Sequence, residues 1–182
     1  MNKMDLIKLI NQYYPDSEDE IKDKNSIIEF LSNNDIFLGK GNTSGHITGS
    51  TWIVDKHKNK VLLTHHRKLG KWLQLGGHTE ENENILDSAL REAIEESGLT
   101  NLKVLSRDIF DVDVHLIPRR KNELEHYHYD IRFLIEADDT ETIVISKESI
   151  NLKWLPLSEI DLYSNEQSIK RMVKKTTGLI KE

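Results

Sequence analysis

At 182 residues, with 37% hydrophobic and 31% charged side chains, the chain suits one domain with a real core and fits neither a disordered nor a membrane-spanning class. A net charge of −6 argues against broad electrostatic capture of nucleic acid, yet it allows an anionic small molecule held through bridging Mg²⁺ or Mn²⁺. With no cysteine, disulfides, thiolate metal sites and thiol nucleophiles are excluded, so any metal must be held by carboxylates, imidazoles or carbonyls.

The first residues, MNKMDLIKLINQYYPDSEDE, lack the positive start and apolar block of a secretory signal, and no apolar run reaches bilayer length. The cytoplasm is therefore the expected compartment. Leu6, Ile7, Leu9, Ile10 and Tyr13 or Tyr14 predict a helix over 1–14, closed by Pro15 and the acidic run 16–20. Ile27, Ile28, Phe30 and Leu31 predict a second helix over 24–33. The segment 39–49 holds four of the nine glycines and reads as a joint, which divides a helical N-terminal extension, 1–40, from a core domain, 41–182.

From His46 the pattern becomes β-like, with strands over 47–55 and 60–65 separated by a polar turn at 56–59. Beyond Trp72, Leu75 and Gly76-Gly77 comes a strongly periodic helix over 84–97, which Gly98 ends. Two long strands over 102–116 and 127–137 flank a charged loop at 118–125. A strand at 150–155 and a helix over 165–177 complete an α+β order without internal repeats.

On the helix over 84–97, Ile85, Leu86, Ala89, Leu90, Ala93 and Ile94 fall in one half at about 100° per residue. Glu92, Glu95 and Glu96, at i, i+3 and i+4, converge on the other side, with the small Ser88 one turn earlier. Like charges at this spacing cost a few tenths of a kcal/mol each, and the C-terminal half of a helix disfavours anions. A hard divalent cation, which takes oxygen ligands, would justify them; a solvated acidic face is the alternative.

Reading on from Gly77, five residues lead to Glu83 and seven more to Arg91-Glu92, followed by Ala93, Ile94, Glu95, Glu96, Ser97, Gly98 and Leu99. This spacing resembles the Nudix box, GX5EX7REUXEEXGU with U a bulky aliphatic, and Ala93 is the one soft departure. The resemblance covers about 45–157. It implies a Nudix fold, a mixed sheet sandwiched by helices, and cleavage of the pyrophosphate of a nucleoside diphosphate derivative. It further implies Glu92, Glu95 and Glu96 as Mg²⁺ or Mn²⁺ ligands, with a backbone carbonyl of Gly76 or Gly77 nearby. Arg91 and Glu83 would pair to orient the glutamates, Glu80 is a weaker candidate, and Glu92 is the first choice of general base.

Six of the eight histidines lie between 65 and 128, which makes this block a second candidate region. Alternation puts Asp111, Asp113 and His115 on one strand face, and His126, His128, Asp130 and Arg132 on one face of the next. If those faces meet, they form a wall of imidazoles, carboxylates and a guanidinium. It reads as a solvent face, a substrate-binding wall (His115, His126, His128, Arg132) or a separate histidine metal site. Arg67, with Lys68 and Lys71, could meet phosphates or solubilise a hairpin tip, and Arg119-Arg120-Lys121 could act as a clamp or a plain charged turn. Trp154 reads as packing.

Competing functions are a Nudix-fold sensor that binds a nucleotide without cleaving it, an isoprenoid diphosphate isomerase, and RNA decapping. The intact glutamates disfavour the sensor, the missing cysteine the isomerase, and the acidic balance an RNA track. A small-molecule nucleotide is the expected partner, with no membrane. The first forty residues are left to cover the site, support a homodimer or pack on the sheet.

Overall fold

Two helices open the chain in the computed structural model, which describes residues 1–119 and 124–180. Helices α1 (Lys3–Gln12) and α2 (Glu18–Asn33) precede strands β1 (Gly45–Val54), β2 (Lys60–His66), β3 (Lys71–Leu73) and β4 (Leu75–His78). Helix α3 (Ile85–Ser97) follows, then β5 (Lys103–Val104), β6 (Asp111–Ile117), β7 (His126–Glu136) and β8 (Ser149–Pro156). A 3-10 helix at Leu157–Leu162 and α4 (Gln167–Leu179) complete the order. The strands hydrogen-bond in the order β3-β2-β1-β7-β5, with β4 also on β1, β6 on β7 and β8 on β2. The α+β class and the N-terminal helices are as expected.

Strands β3 and β4 and the 3-10 helix add to the expected elements, and two further regions differ from expectation by several residues. Helix α2 begins at Glu18, six residues early, so the acidic run starts this helix instead of closing α1. Ser17 Oγ accepts the Glu20 amide at 3.3 Å and donates back to Glu20 Oε2 at 3.0 Å, while Glu18, Asp19 and Glu20 meet the positive end of the helix dipole. Glu20 is itself buried, with Tyr13 Oη donating to Oε1 and the Asp16 amide to Oε2 at 3.1 Å. The long strand expected over 102–116 is two pieces. A turn in which Ser106 Oγ accepts the Asp108 amide at 3.0 Å separates β5, paired at Lys103↔Glu136, from β6, paired at Asp111↔Arg132.

By their contacts the described residues form two compact units, with β1, β7 and α3 running through both. The first comprises Met1–Ser50, Gly77–Ala89 and Ser106–Phe133. Here Leu6, Ile10, Ile27 and Leu31 are fully buried, α2 packs against β6, and Phe30 stacks on Tyr129 with ring centroids 4.1 Å apart. Gly49 is required by close approach: a Cβ there would lie 2.7 Å from the Ile85 carbonyl oxygen. The second unit comprises Thr51–Gly76, Leu90–Leu105 and the chain from Leu134 onward. Its β2 and β8 pair antiparallel from Lys60↔Pro156 to His66↔Ser149, and the fully buried Trp52 donates its indole N–H to Thr176 Oγ1 on α4 at 2.8 Å. No helix among the described residues is long and apolar enough to cross a membrane.

Candidate active site

Helix α3 carries its acidic residues on a different phase from the one expected. The buried positions are Ile85, Leu86, Ser88, Ala89, Ala93, Glu96 and Ser97, whereas Ile94 is 44% exposed. Taking Ile85 as zero and about 100° per residue, Glu96 falls near 20°, in the middle of this buried arc, and Ile94 near 180°, opposite it. Burial is thus centred between the aliphatic and acidic stripes. Glu92 is half-buried beside Glu96, and Glu95 is exposed at the rim of the arc. Ser88 is fully buried and donates to the His78 carbonyl at 3.2 Å, tying the helix to its preceding loop instead of leaving space beside the carboxylates. The helix ends as expected, with Gly98 at φ 71° donating its amide to the Ile94 carbonyl at 2.8 Å.

In the second unit these glutamates form a constrained set. Glu96 Oε2 accepts the Gly76 amide at 2.9 Å. Arg91 Nη1 lies 2.8 Å from Glu92 Oε1 and 3.5 Å from Glu95 Oε1, so one guanidinium serves two carboxylates. Burial pushes the Glu96 carboxyl up to about 8, assisted by the negative charges of Glu92, Glu148 and Glu95 against the lowering effect of the Gly76 amide. Burial also raises Glu92, although Arg91 counteracts it. Glu148 acts on both. The turn that carries it is clamped by Arg67, whose amide donates to the Glu148 carbonyl at 2.8 Å and whose guanidinium donates to the carbonyls of Lys147 and Ser149 at 3.1 and 2.8 Å.

This donor set suits a hard divalent cation. Four carboxylates influence one another, one of them so buried that it resists ionisation, and a bound cation would offset that cost with the oxygen ligands it prefers.

In the first unit, the polar faces of β6 and β7 do meet. The register pairs Asp111↔Arg132, Asp113↔Asp130 and His115↔His128. The face is buried at its Asp111, Asp130 and Arg132 end and partly buried at Asp113, His115 and His128; Arg132 is 2% exposed and bonds Asp130, Asp111 and Asp113 at 2.7, 3.2 and 3.1 Å. Burial opposes the guanidinium charge, but Asp113, Asp130 and Asp111 outweigh it and push Arg132 upward. Thr48 and Ser50 on β1 both donate to Asp130 Oδ1, at 2.9 and 2.7 Å. Five imidazoles extend the wall, with His128 ringed by His46, His78, His115 and His126 at centroid separations of 4.8, 5.3, 5.4 and 5.1 Å. Desolvation, with the charges of neighbouring imidazoles, lowers His46 to about 3 and His128 to about 2, so both are neutral at pH 7.

The NUDIX domain model matches residues 46–176, most of the chain. The chain belongs to the Nudix family. It is 32% identical over 118 residues to a probable DHNTP pyrophosphohydrolase of Lactococcus lactis subsp. cremoris, spanning 63% of this chain and 69% of that one. It is 30% identical over 100 residues to a bis(5'-nucleosyl)-tetraphosphatase of Rattus norvegicus, spanning 54% and 65% of the two chains, just under two thirds of the rat protein. A NUDIX family hydrolase from Clostridium perfringens has a similar structure, with 26% identity, a TM-score of 0.54, and coverage of 76% of this chain and 99% of that one. The Nudix fold expected from the box is the fold found, and the protein is a Nudix hydrolase.

Within the Nudix box, Arg91, Glu92, Glu95 and Glu96 come together with Gly76. Glu83, in the first unit, accepts the Glu80 amide at 3.1 Å in the loop before α3. Arg67 and Arg132 do not present open guanidinium groups: the first holds the 147–149 turn and the second is enclosed by three aspartates. Lys71 bonds Glu166 at 2.8 Å. Of the expected clamp Arg119-Arg120-Lys121, Arg119 is exposed, and Arg120 and Lys121 lie outside the described residues. Two residues escaped the sequence reading. Glu148 has no local signature, but His46 had one: His46, Thr48 and Ser50 alternate as a polar face on β1.

Proposed function

We propose that this Nudix pyrophosphohydrolase cleaves the diphosphate linkage of a nucleoside diphosphate derivative, using Mg²⁺ or Mn²⁺ held by Glu92, Glu95 and Glu96. The observation that carries the reading is the second unit's carboxylate set, in which Glu96 is oriented by the Gly76 amide and Glu92 and Glu95 by Arg91. The relatives' names support it, one being a probable DHNTP pyrophosphohydrolase and the other a bis(5'-nucleosyl)-tetraphosphatase. When bound, the cation neutralises phosphate oxygens and lowers the pKa of a water nucleophile.

The chain's own residues then have separable tasks. Glu92, raised by burial but steadied by Arg91, is proposed to take the proton from the attacking water. Glu148, outside the box, is the second candidate for that proton. Gly76, whose amide already meets Glu96, is proposed to add a carbonyl ligand. Arg67 and Arg132 are positioning residues, with Arg67 setting Glu148 and Arg132 the histidine wall. Residues 1–40 are proposed as a buttress on domain 41–182 in place of a dimer interface, because α2 packs on β6. We place the reaction in the cytoplasm, where nucleotides and Mg²⁺ occur together.

The test is a phosphate-release screen over nucleoside triphosphates, oxidised nucleotides, ADP-ribose, dinucleoside polyphosphates and capped RNA. Each substrate is run with Mg²⁺, with Mn²⁺ and with EDTA. Turnover that needs the cation supports the proposal. Nucleotide binding without turnover of any substrate would favour a sensor.

A further inference from the structure

We propose that the first unit binds a transition-metal ion of the zinc class through His46 on β1, His78 on β4 and His128 on β7, with His126 at the fourth corner. These ligands are chemically distinct from the glutamates of the box. One ring nitrogen from each of His46, His78 and His128 falls within a set whose members all lie within 4.8 Å of one another. Two nitrogens on one tetrahedral zinc lie roughly 3.4 Å apart, given Zn–N distances of about 2.0–2.1 Å. Modest rotation of the imidazoles therefore closes the site.

His46 is the decisive side chain. It is 2% exposed, and neither Nδ1 nor Nε2 has a hydrogen-bond partner among the described residues. A buried polar atom left unmatched costs about 1–3 kcal/mol, so such a ring calls for an explanation. A metal ion taking its lone pair is one, and the rings of His78, His126 and His128 face it at centroid distances of 4.6, 5.0 and 4.8 Å.

His126 supplies an argument from tautomers. Its Nδ1 lies 2.8 Å from the Leu124 carbonyl, which can only accept, so Nδ1 carries the proton and Nε2 the lone pair. That Nε2 lies 3.2 Å from His128 Nε2. Either His128 donates its proton there, or two lone pairs face each other at nearly the separation of two ligands on one cation. Asp113 Oδ2 orients His115 through Nδ1 at 2.9 Å, and that ring packs edge-on against His128 with centroids 5.4 Å apart. Neutral imidazoles select zinc, cobalt, nickel, copper or iron over Mg²⁺ and Ca²⁺, which prefer oxygen.

The experiment loads the untagged full chain with Zn²⁺, removes free metal by gel filtration in excess Mg²⁺, and counts retained zinc. About one zinc per chain is expected, with a four-coordinate visible spectrum after Co²⁺ substitution. A Glu92→Gln/Glu96→Gln double variant should keep that metal and that spectrum. His46→Gln and His128→Gln should each lose at least about tenfold in zinc affinity. Absence of retained zinc in the wild type, or its loss in the glutamate double variant, would overturn the proposal. Both of those outcomes are read on chains with an intact histidine cluster, so they stand even if a histidine variant misfolds. Neither depends on hydrolysis, so the histidine site and the box chemistry can fail separately.

Discussion

Replacing Glu96 by Gln should raise the stability of the metal-free protein while removing its activity. The carboxyl is 7% exposed and pushed from an ordinary 4.5 up to about 8, chiefly by burial. A carboxyl whose folded value is raised favours folding most at low pH, and that advantage drains away as pH climbs from 4.5 towards 8. At about 1.4 kcal/mol per tenfold, the loss reaches on the order of 4 kcal/mol by pH 8. Gln has no charge to bury, and its side-chain oxygen can still accept the Gly76 amide now held at 2.9 Å. Allowing for the buried NH₂ it introduces, a net gain of about 1–3 kcal/mol remains, or roughly 3–10 °C in melting temperature for a chain of this length. Melts in EDTA at pH 6 and pH 8 would measure it. The wild type should be less stable at pH 8 than at pH 6, the variant should be nearly level, and Mg²⁺ should stabilise only the wild type. Turnover in the variant should fall at least about 100-fold, on the order of 3 kcal/mol in barrier. A variant less stable than wild type at pH 8 in EDTA would refute the account of Glu96 as a carboxylate strained by burial.

Glu148→Gln separates proton transfer from cation binding: kcat should fall about 10- to 100-fold with little change in Mg²⁺ dependence, and an unaltered kcat would remove Glu148 as a base. Arg132→Met strands Asp111, Asp113 and Asp130, so urea denaturation should show a loss of about 3–5 kcal/mol, and a loss below about 1 kcal/mol would contradict the enclosed ion cluster. Gly49→Ala places a methyl 2.7 Å from the Ile85 carbonyl oxygen and 3.2 Å from the Ala89 amide nitrogen, and should cost about 1–3 kcal/mol in the same assay.

Local rules made much of this protein legible before folding. The box helix, its Gly98 cap and the grouping of Glu92, Glu95 and Glu96 follow from helical periodicity, which needs only a residue's near neighbours. Strand alternation likewise placed His126, His128, Asp130 and Arg132 on one face of β7. The start of α2 is equally local, written in Ser17 and Glu20, whose cap turns the acidic run from the end of α1 into the beginning of α2. Only tertiary structure decided which side of α3 is buried, since a helix pattern yields an apolar arc without saying what covers it; Glu96 and Ser88 went in, and Ile94 came out. The same holds for Glu148, brought to the box glutamates by a turn that Arg67 clamps some 80 residues away along the chain. It holds too for His46, whose ring meets His78, His126 and His128 through strand pairing. Burial and long-range pairing depend on the whole chain at once, which is why residue types and spacing named the chemistry while packing set the ionisation of Glu96, enclosed Arg132 and gathered the histidines.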